Sequence, residues 1–439
     1  MENEVFEHMS VPKAYLKLSM PLVLSMVISL IYNLVDTFFI AKTGNASLVA
    51  GVSLCAPLFT LMVAFGDIFA LGGSSLISRL LGQRDHEKVR HISAFCLIGS
   101  ILFGIVIAVI MTLFSQPILT MLGAKADTMP FAASYYKWLI LGAPAIIFNI
   151  VPGNLLRTEG MAMEVMFGSI LGAVINIILD PVFIFSLRMG AGGAAAATIL
   201  SNLISDVFLA FIVIKKSRSL SFLPKDISIT AVDLKDILTI GIPASITNIM
   251  QSLAVLLINR QLVGYGTDKV AALGIALKVN MVAMLIMVGF AFGAQPLLGY
   301  NYGSGNKKRL GEILRFDILM ELCVALVFLL LSFLLAPHLI GIFMQDDSII
   351  SNGALMLRLL MVTAPCISVI LVMTTYFQAA GQALPAFILA ASRQGIVLAV
   401  CLALLPHLFG YMGILASQAA SDAITLIIAI ILFRLYRMK

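Results

Sequence analysis

Charge is what this sequence has least of. Asp, Glu, Lys and Arg together make up 11% of its 439 residues, against about 25% in soluble globular proteins. So few charges cannot cover a water-facing surface, which excludes a soluble enzyme, a nucleic-acid binder and a secreted scaffold as the main reading. Cysteine is scarce too. Cys55, Cys96, Cys323, Cys366 and Cys401 are odd in number, form no CxxC pair and lie in apolar runs, where a reduced thiol behaves as a small hydrophobe. No GxxxxGK[ST] segment occurs, so the chain alone does not drive pumping with a nucleotide. His86-Glu87 and His91 imitate a zinc-protease helix, but their spacing of five puts the two imidazoles on different faces.

What remains is apolar: 61% of residues are hydrophobic and the mean hydropathy is +1.06. Twelve stretches are long enough to cross a hydrocarbon core, at roughly 15–40, 48–76, 91–114, 131–152, 162–187, 193–214, 237–261, 269–298, 313–335, 354–377, 384–405 and 410–433. A core about 30 Å thick takes about 20 helical residues, and lipid offers the backbone no hydrogen bonds, so each stretch must be a helix. The expectation is an all-α integral membrane protein. The first 14 residues carry charges and the first apolar run is too long for a signal sequence, so no cleaved leader is expected.

The net charge of +6 is explained by where the basic residues lie. With the N-terminus inside, the inner segments hold nineteen Lys and Arg and the outer loops four, Lys42, Lys125, Arg188 and Lys269. That bias predicts both termini on the cytoplasmic side. No acidic partner is needed to account for the charge.

The longest polar connection, 215–236, divides the chain into an N-lobe (1–214, helices one to six) and a C-lobe (237–439, helices seven to twelve), with a cytoplasmic linker between. Helix-breaking residues recur across the two. Pro21 pairs with Pro243 and Gly44 with Gly266 at an offset of 222; Gly82 with Gly303, Pro144 with Pro365 and Gly160 with Gly381 at 221; Pro117 with Pro337 and Gly193 with Gly413 at 220. Six crossings per half insert both halves in the same sense, giving two pseudo-symmetric six-helix bundles, an arrangement of carriers.

Acids inside such helices are costly and mark candidate ion sites. Asp36 lies in the first span and Asp180 in the fifth. Asn33 shares a face with Asp36, and Asn176 with Asp180, by the i+3 and i+4 spacing. Counted from the outer ends, the two acids agree in depth within roughly 3 Å. With Thr198 they form a hard-oxygen set suited to Na⁺, or a carboxyl pair able to hold a proton; a hydrogen-bonded lock between helices is the other reading. Pro181 frees the Ile177 carbonyl from its helical bond. Asp67, Asp206 and Lys278 are further polar residues in spans, with Arg260 placed to snorkel and Asp422 and Glu321 assigned to helix packing. Met26, Met250, Met281, Met284 and Met287 are candidates for an adaptable cavity lining.

These residues resemble the multidrug and toxic compound extrusion (MATE) family, over essentially the whole chain. The resemblance rests on the Asp36 segment, Asn176-x-x-x-Asp180-Pro181, Gly82-Gln83, and Leu298-Gly299-Tyr300-Asn301-Tyr302-Gly303. Tyr32-Asn33-x-x-Asp36-Thr37-Phe38-Phe39 and Gly72-Gly73-Ser74-Ser75 point to its bacterial MepA-like branch. It implies a secondary transporter, not an enzyme, in the bacterial cytoplasmic membrane. Such a carrier exports bulky, often cationic drugs by antiport with Na⁺ or H⁺ through alternating access, with no other cofactor, no nucleic acid and a monomer as the working unit. Asp36, Asn176, Asp180 and Thr198 correspond to the N-lobe cation site, and Tyr136 and Asn154 to looser members. The family's C-lobe acids are missing from spans seven and ten, where Gln251 and Asn259 stand in the seventh. Three alternatives are weaker: a lipid-linked precursor flippase of the MATE-related group, a major-facilitator carrier, whose loop motif here lacks its second glycine, and a membrane transferase, which needs paired acids at a membrane face with metal-diphosphate spacing.

Overall fold

A backbone in lipid must close its own hydrogen bonds, and among the described residues this one does so almost entirely as helix. The computed structural model describes residues 4–344 and 346–437, apart from the side chains of Asn248, Ile249, Ser252 and Thr267. Among the described residues the first three crossings are Val11–Lys42, Ala46–Gln83 and His86–Leu113. The fourth is a bent pair, Met129–Leu141 and Ala143–Thr158, at 50°; the tenth repeats it, Asp347–Val362 and Ala364–Ala379, at 44°. Pro144 and Pro365 cause the two bends: each opens the second helix of its pair, where its missing N–H is harmless.

Ala162–Ser186, Gly190–Lys216, Asp268–Gly303 and Lys307–Gly341 also cross, and the 32-residue helix Ala231–Leu262 carries the seventh apolar run. The last stretch, Ala383–Tyr436, has 54 residues. At 1.5 Å per residue it would be about 80 Å long, far more than one bilayer. It breaks at Gly410, where φ is +54° and ψ −131°, and so makes two crossings. That completes the twelve.

Gly190, 220 residues earlier, turns the chain between the fifth and sixth spans with φ +55°. Three residues beyond each turn, Gly193 and Gly413 touch the preceding span: a Cβ would sit 2.7 Å from the Phe183 carbonyl oxygen at the first and collide with the Leu405 carbonyl at the second. The duplicated sequence thus folds into duplicated corners.

Packing groups the chain into two compact units. One holds Leu24–Ser245, and the other holds the segment ending at Val23 together with everything from Ile246 onward. Each unit therefore includes the beginning of a helix whose remainder lies in the other, whereas the polar linker at 215–236 marks a boundary of composition. Glycine accounts for both inclusions. Within the first unit, Gly72 abuts the Ile237 carbonyl and Gly241 the Ile68 carbonyl; within the second, Gly293 abuts the Ser19 backbone, and a Cβ on Gly289 would sit 3.0 Å from the Val23 Cα. Backbones can approach this closely only where no Cβ intervenes.

The linker itself is fastened to the first unit. Glu159 accepts the N–H groups of Ser219 and Leu220 at 2.8 and 3.3 Å, and the Ser93 hydroxyl accepts that of Ser221 at 2.9 Å. Arg90 pairs with Asp226 at 3.0 Å and Lys88 with Asp233 at 2.6 Å.

Candidate functional site

The first, fifth and sixth spans converge on an apolar base formed by Ile40, Leu48, Ile184, Ala191 and Ala194, with Phe39 and Tyr135 against it. Above it stands a polar group. Asn176 and Asp180 are buried on one face of the fifth span, and the Asp36 and Asp180 carboxyls lie within hydrogen-bonding reach of each other. The Asn176 amide donates to Asp180 Oδ1 and to Thr198 Oγ1, each at 3.5 Å. Thr198 in turn donates to the Ala194 carbonyl at 3.1 Å, which holds its hydroxyl oxygen toward Asn176. Directly after Pro181 the fifth span widens into a π-turn, Val182–Ser186, the kind of irregularity common at functional sites.

Three oxygens in this group are buried without a hydrogen-bond partner: Asp36 Oδ1, Asp180 Oδ2 and Asn176 Oδ1. Among the described residues no Lys or Arg acts on either acid. Buried acceptors without donors are expensive, and a positive species bound among these three would offset that cost. Asp422 shows the opposite case. It accepts from Arg393 at 3.0 Å, Thr363 at 2.9 Å and Gln418 at 3.3 Å, so its charge is met within the protein.

The other expected members are dispersed. Asn33 is exposed and donates to the Ser29 carbonyl at 2.7 Å. Tyr136 donates to the Met111 carbonyl at 2.8 Å inside an apolar cluster; its neighbour Tyr135 is the residue beside Asp36, Tyr32 and Asp180. One helical residue is a 100° turn, enough to exchange the two rings. Asn154 donates to Ile150 and accepts from Arg157 at 2.5 Å, a contact within its own helix. Asp206 accepts from Asn149 at 2.8 Å. Asp67 is half-buried in the second span and Lys278 is exposed on the eighth.

The methionine stripe does not line one surface. Met281 is 47% exposed, while Met287 is fully buried in the core of its unit with Met284 packed against that core. Steps of three residues fall 60° short of a full turn, so the stripe winds from one face to another. Met26 and Met250 are half-buried, and Met250 lies over Gly395. Tyr32 and Tyr135 were not among the expected residues, although Tyr32 lies a single turn before Asp36.

Comparison with known proteins places these features in company. The MatE family model matches the chain twice, at residues 21–182 and 243–405, each match opening on one of the paired prolines. The chain is 31% identical to the multidrug export protein MepA of Staphylococcus haemolyticus, over 99% of this chain and 95% of that protein. It is 30% identical to MepA of Staphylococcus saprophyticus, over 98% and 95%. Among solved structures, a MOP superfamily transporter from Pyrococcus furiosus superposes with a TM-score of 0.92 at 27% identity, covering 99% of this chain and 97% of that one. A MATE structure in complex with MaL6 gives 0.93 at 26%, with the same coverage.

Proposed function

Because the chain belongs to the MatE family, a family of membrane transporters, we propose that it exports structurally varied organic compounds by antiport with a cation held at Asp36 and Asp180. The observation that carries the ion site is the set of three partnerless buried oxygens, Asp36 Oδ1, Asp180 Oδ2 and Asn176 Oδ1. Two carboxyls at hydrogen-bonding distance repel when both are charged. A proton between them, or a Na⁺ ion with the Asn176 and Thr198 oxygens completing its shell, removes that repulsion. The two acids stand on different spans, so filling and emptying the site changes how strongly the outer part of the first span is held to the fifth. Export of a bulky compound is coupled to that change through alternating access.

Both termini lie on the cytoplasmic side in this reading, following the basic residues of the linker and inner loops, and the monomer suffices for transport. The multidrug substrates named for the MepA relatives set the class of compound to try first. The test is uptake of a fluorescent cationic dye into inverted proteoliposomes under separately imposed Na⁺ and proton gradients. Wild type is expected to transport under at least one gradient, and Asp36→Asn and Asp180→Asn to lose that dependence. Equal transport by wild type and both variants removes the coupling role from these acids; no transport under either gradient removes multidrug antiport.

A further inference from the structure

The second compact unit contains a buried acidic pair that the efflux reading does not use. Asp317 and Glu321 stand one turn apart on the ninth span, both with no exposed surface. The Tyr15 hydroxyl, on the beginning of the first span, donates to Asp317 Oδ1 at 2.9 Å. Asp317 Oδ2 and both Glu321 oxygens have no hydrogen-bond partner. Around them stand Phe290, stacked on Tyr15 at 6.3 Å, Phe316, edge-on to it at 5.1 Å, and Ser19, bonded to the Phe290 carbonyl at 3.4 Å. The groups that act electrically on the pair are Tyr15 from the first span, on Asp317, the Ala291 backbone from the eighth, on Glu321, and Asp317 on Glu321, while Ser19 acts on Tyr15. Among the described residues no Lys, Arg or His is one of them.

The internal repeat shows that packing does not require acids here. Asp85 and Asn306 cap the third and ninth spans in the same way, each accepting the N–H three residues on, which fixes the register between these spans at 221. In that register Asp317 corresponds to Cys96 and Glu321 to Ser100; at the 222 offset that pairs Pro21 with Pro243, Tyr15 corresponds to Ile237. All three counterparts are uncharged and fully buried. The same junction, the beginning of one helix wedged against a glycine face, is thus built once with neutral side chains and once with two carboxyls and a phenol. Two uncompensated negative charges in that interior are strongly disfavoured. A bound proton neutralises the pair and gives a partnerless oxygen a donor.

We propose that Asp317 and Glu321, with Tyr15 as their clasp, form a second proton-binding site, separate from Asp36 and Asp180, that secures the beginning of the first span within its unit. Tyr15 and Asp36 lie on one helix, on either side of Pro21. The helix is therefore held near its start by this site and near its end by the other.

The test reads protons directly and needs no transport, so its failure and failure of the efflux reading are distinguishable. Purified protein in lipid nanodiscs is titrated in choline chloride, and carboxylic-acid C=O bands are followed by infrared difference spectroscopy. The background carries Asp36→Asn and Asp180→Asn. A titrating band is expected there, lost on adding Asp317→Asn or Glu321→Gln and displaced in frequency by Tyr15→Phe. Spectra that none of the three substitutions alters overturn the proposal, as does a band removed by Na⁺ at constant pH, which makes the site a sodium site. If Asp317→Asn fails to fold, Glu321→Gln and Tyr15→Phe decide the matter by the same criteria.

Discussion

At the level of single residues, the acids of the candidate ion site were legible because a charge in a lipid-crossing helix needs a reason. Asp36, Asn176, Asp180 and Thr198 stand together in space, as their depth and helical spacing required. Residues without such a cost were harder to place. Tyr135 and Tyr136 differ by one step of the helix, and nothing in composition says which ring faces Asp36. The methionines carried even less information, since packing and lining make the same demands on side-chain chemistry. Their difference is measurable as stability. Met287→Ala, in the core, is expected to cost about 2–5 kcal/mol, while Met281→Ala, 47% exposed, stays within about 0.5 kcal/mol. Thermal unfolding in detergent compares the two, and equal losses would contradict the burial pattern.

For whole helices, the repeat was readable from Pro and Gly because these residues fix backbone geometry regardless of neighbours. Pro144 and Pro365 bend their spans by 50° and 44°, and Gly190 and Gly410 turn at matching positions. The glycines divide into two kinds that sequence alone does not separate. A Cβ at Gly413 collides with the Leu405 carbonyl, whereas one at Gly311, inside Lys307–Gly341, meets nothing within 4 Å. Gly311→Ala should therefore stabilise by about 0.5–1 kcal/mol through helix propensity, and Gly413→Ala should destabilise by more than that. Melting temperatures of the two variants with opposite shifts are the expected result. The close crossings at Gly72, Gly241, Gly289 and Gly293 were not legible, because polar composition marks where a chain leaves the membrane and not which helix faces pack together.

For the whole molecule, the linker ties distant parts of the chain to one another. The Ser221 hydroxyl, bonded at 2.5 Å, and Arg90 hold the Asp226 carboxyl below the ordinary carboxylate range, which is about 3.9. An acid whose folded value is depressed contributes stability above its unfolded value, and that contribution is lost as pH falls through the folded one. Wild type should accordingly lose melting temperature below about pH 4, and Asp226→Asn should start lower at neutral pH and change less on acidification. Identical slopes would show that the latch carries no stability. The division of the two compact units, at Val23 and Ser245, also bears on how the chain is made. Domains usually fold in order as they are synthesised, yet neither unit here is complete in order. The unit built around Leu24–Ser245 lacks part of itself until the start of the seventh helix has been translated, well after its sixth has entered the bilayer. The segment ending at Val23 waits longer still, for partners on the eighth and ninth helices that do not yet exist. Until those helices are made, that early segment, with Tyr15 at its middle, is without the partners it meets in the finished fold.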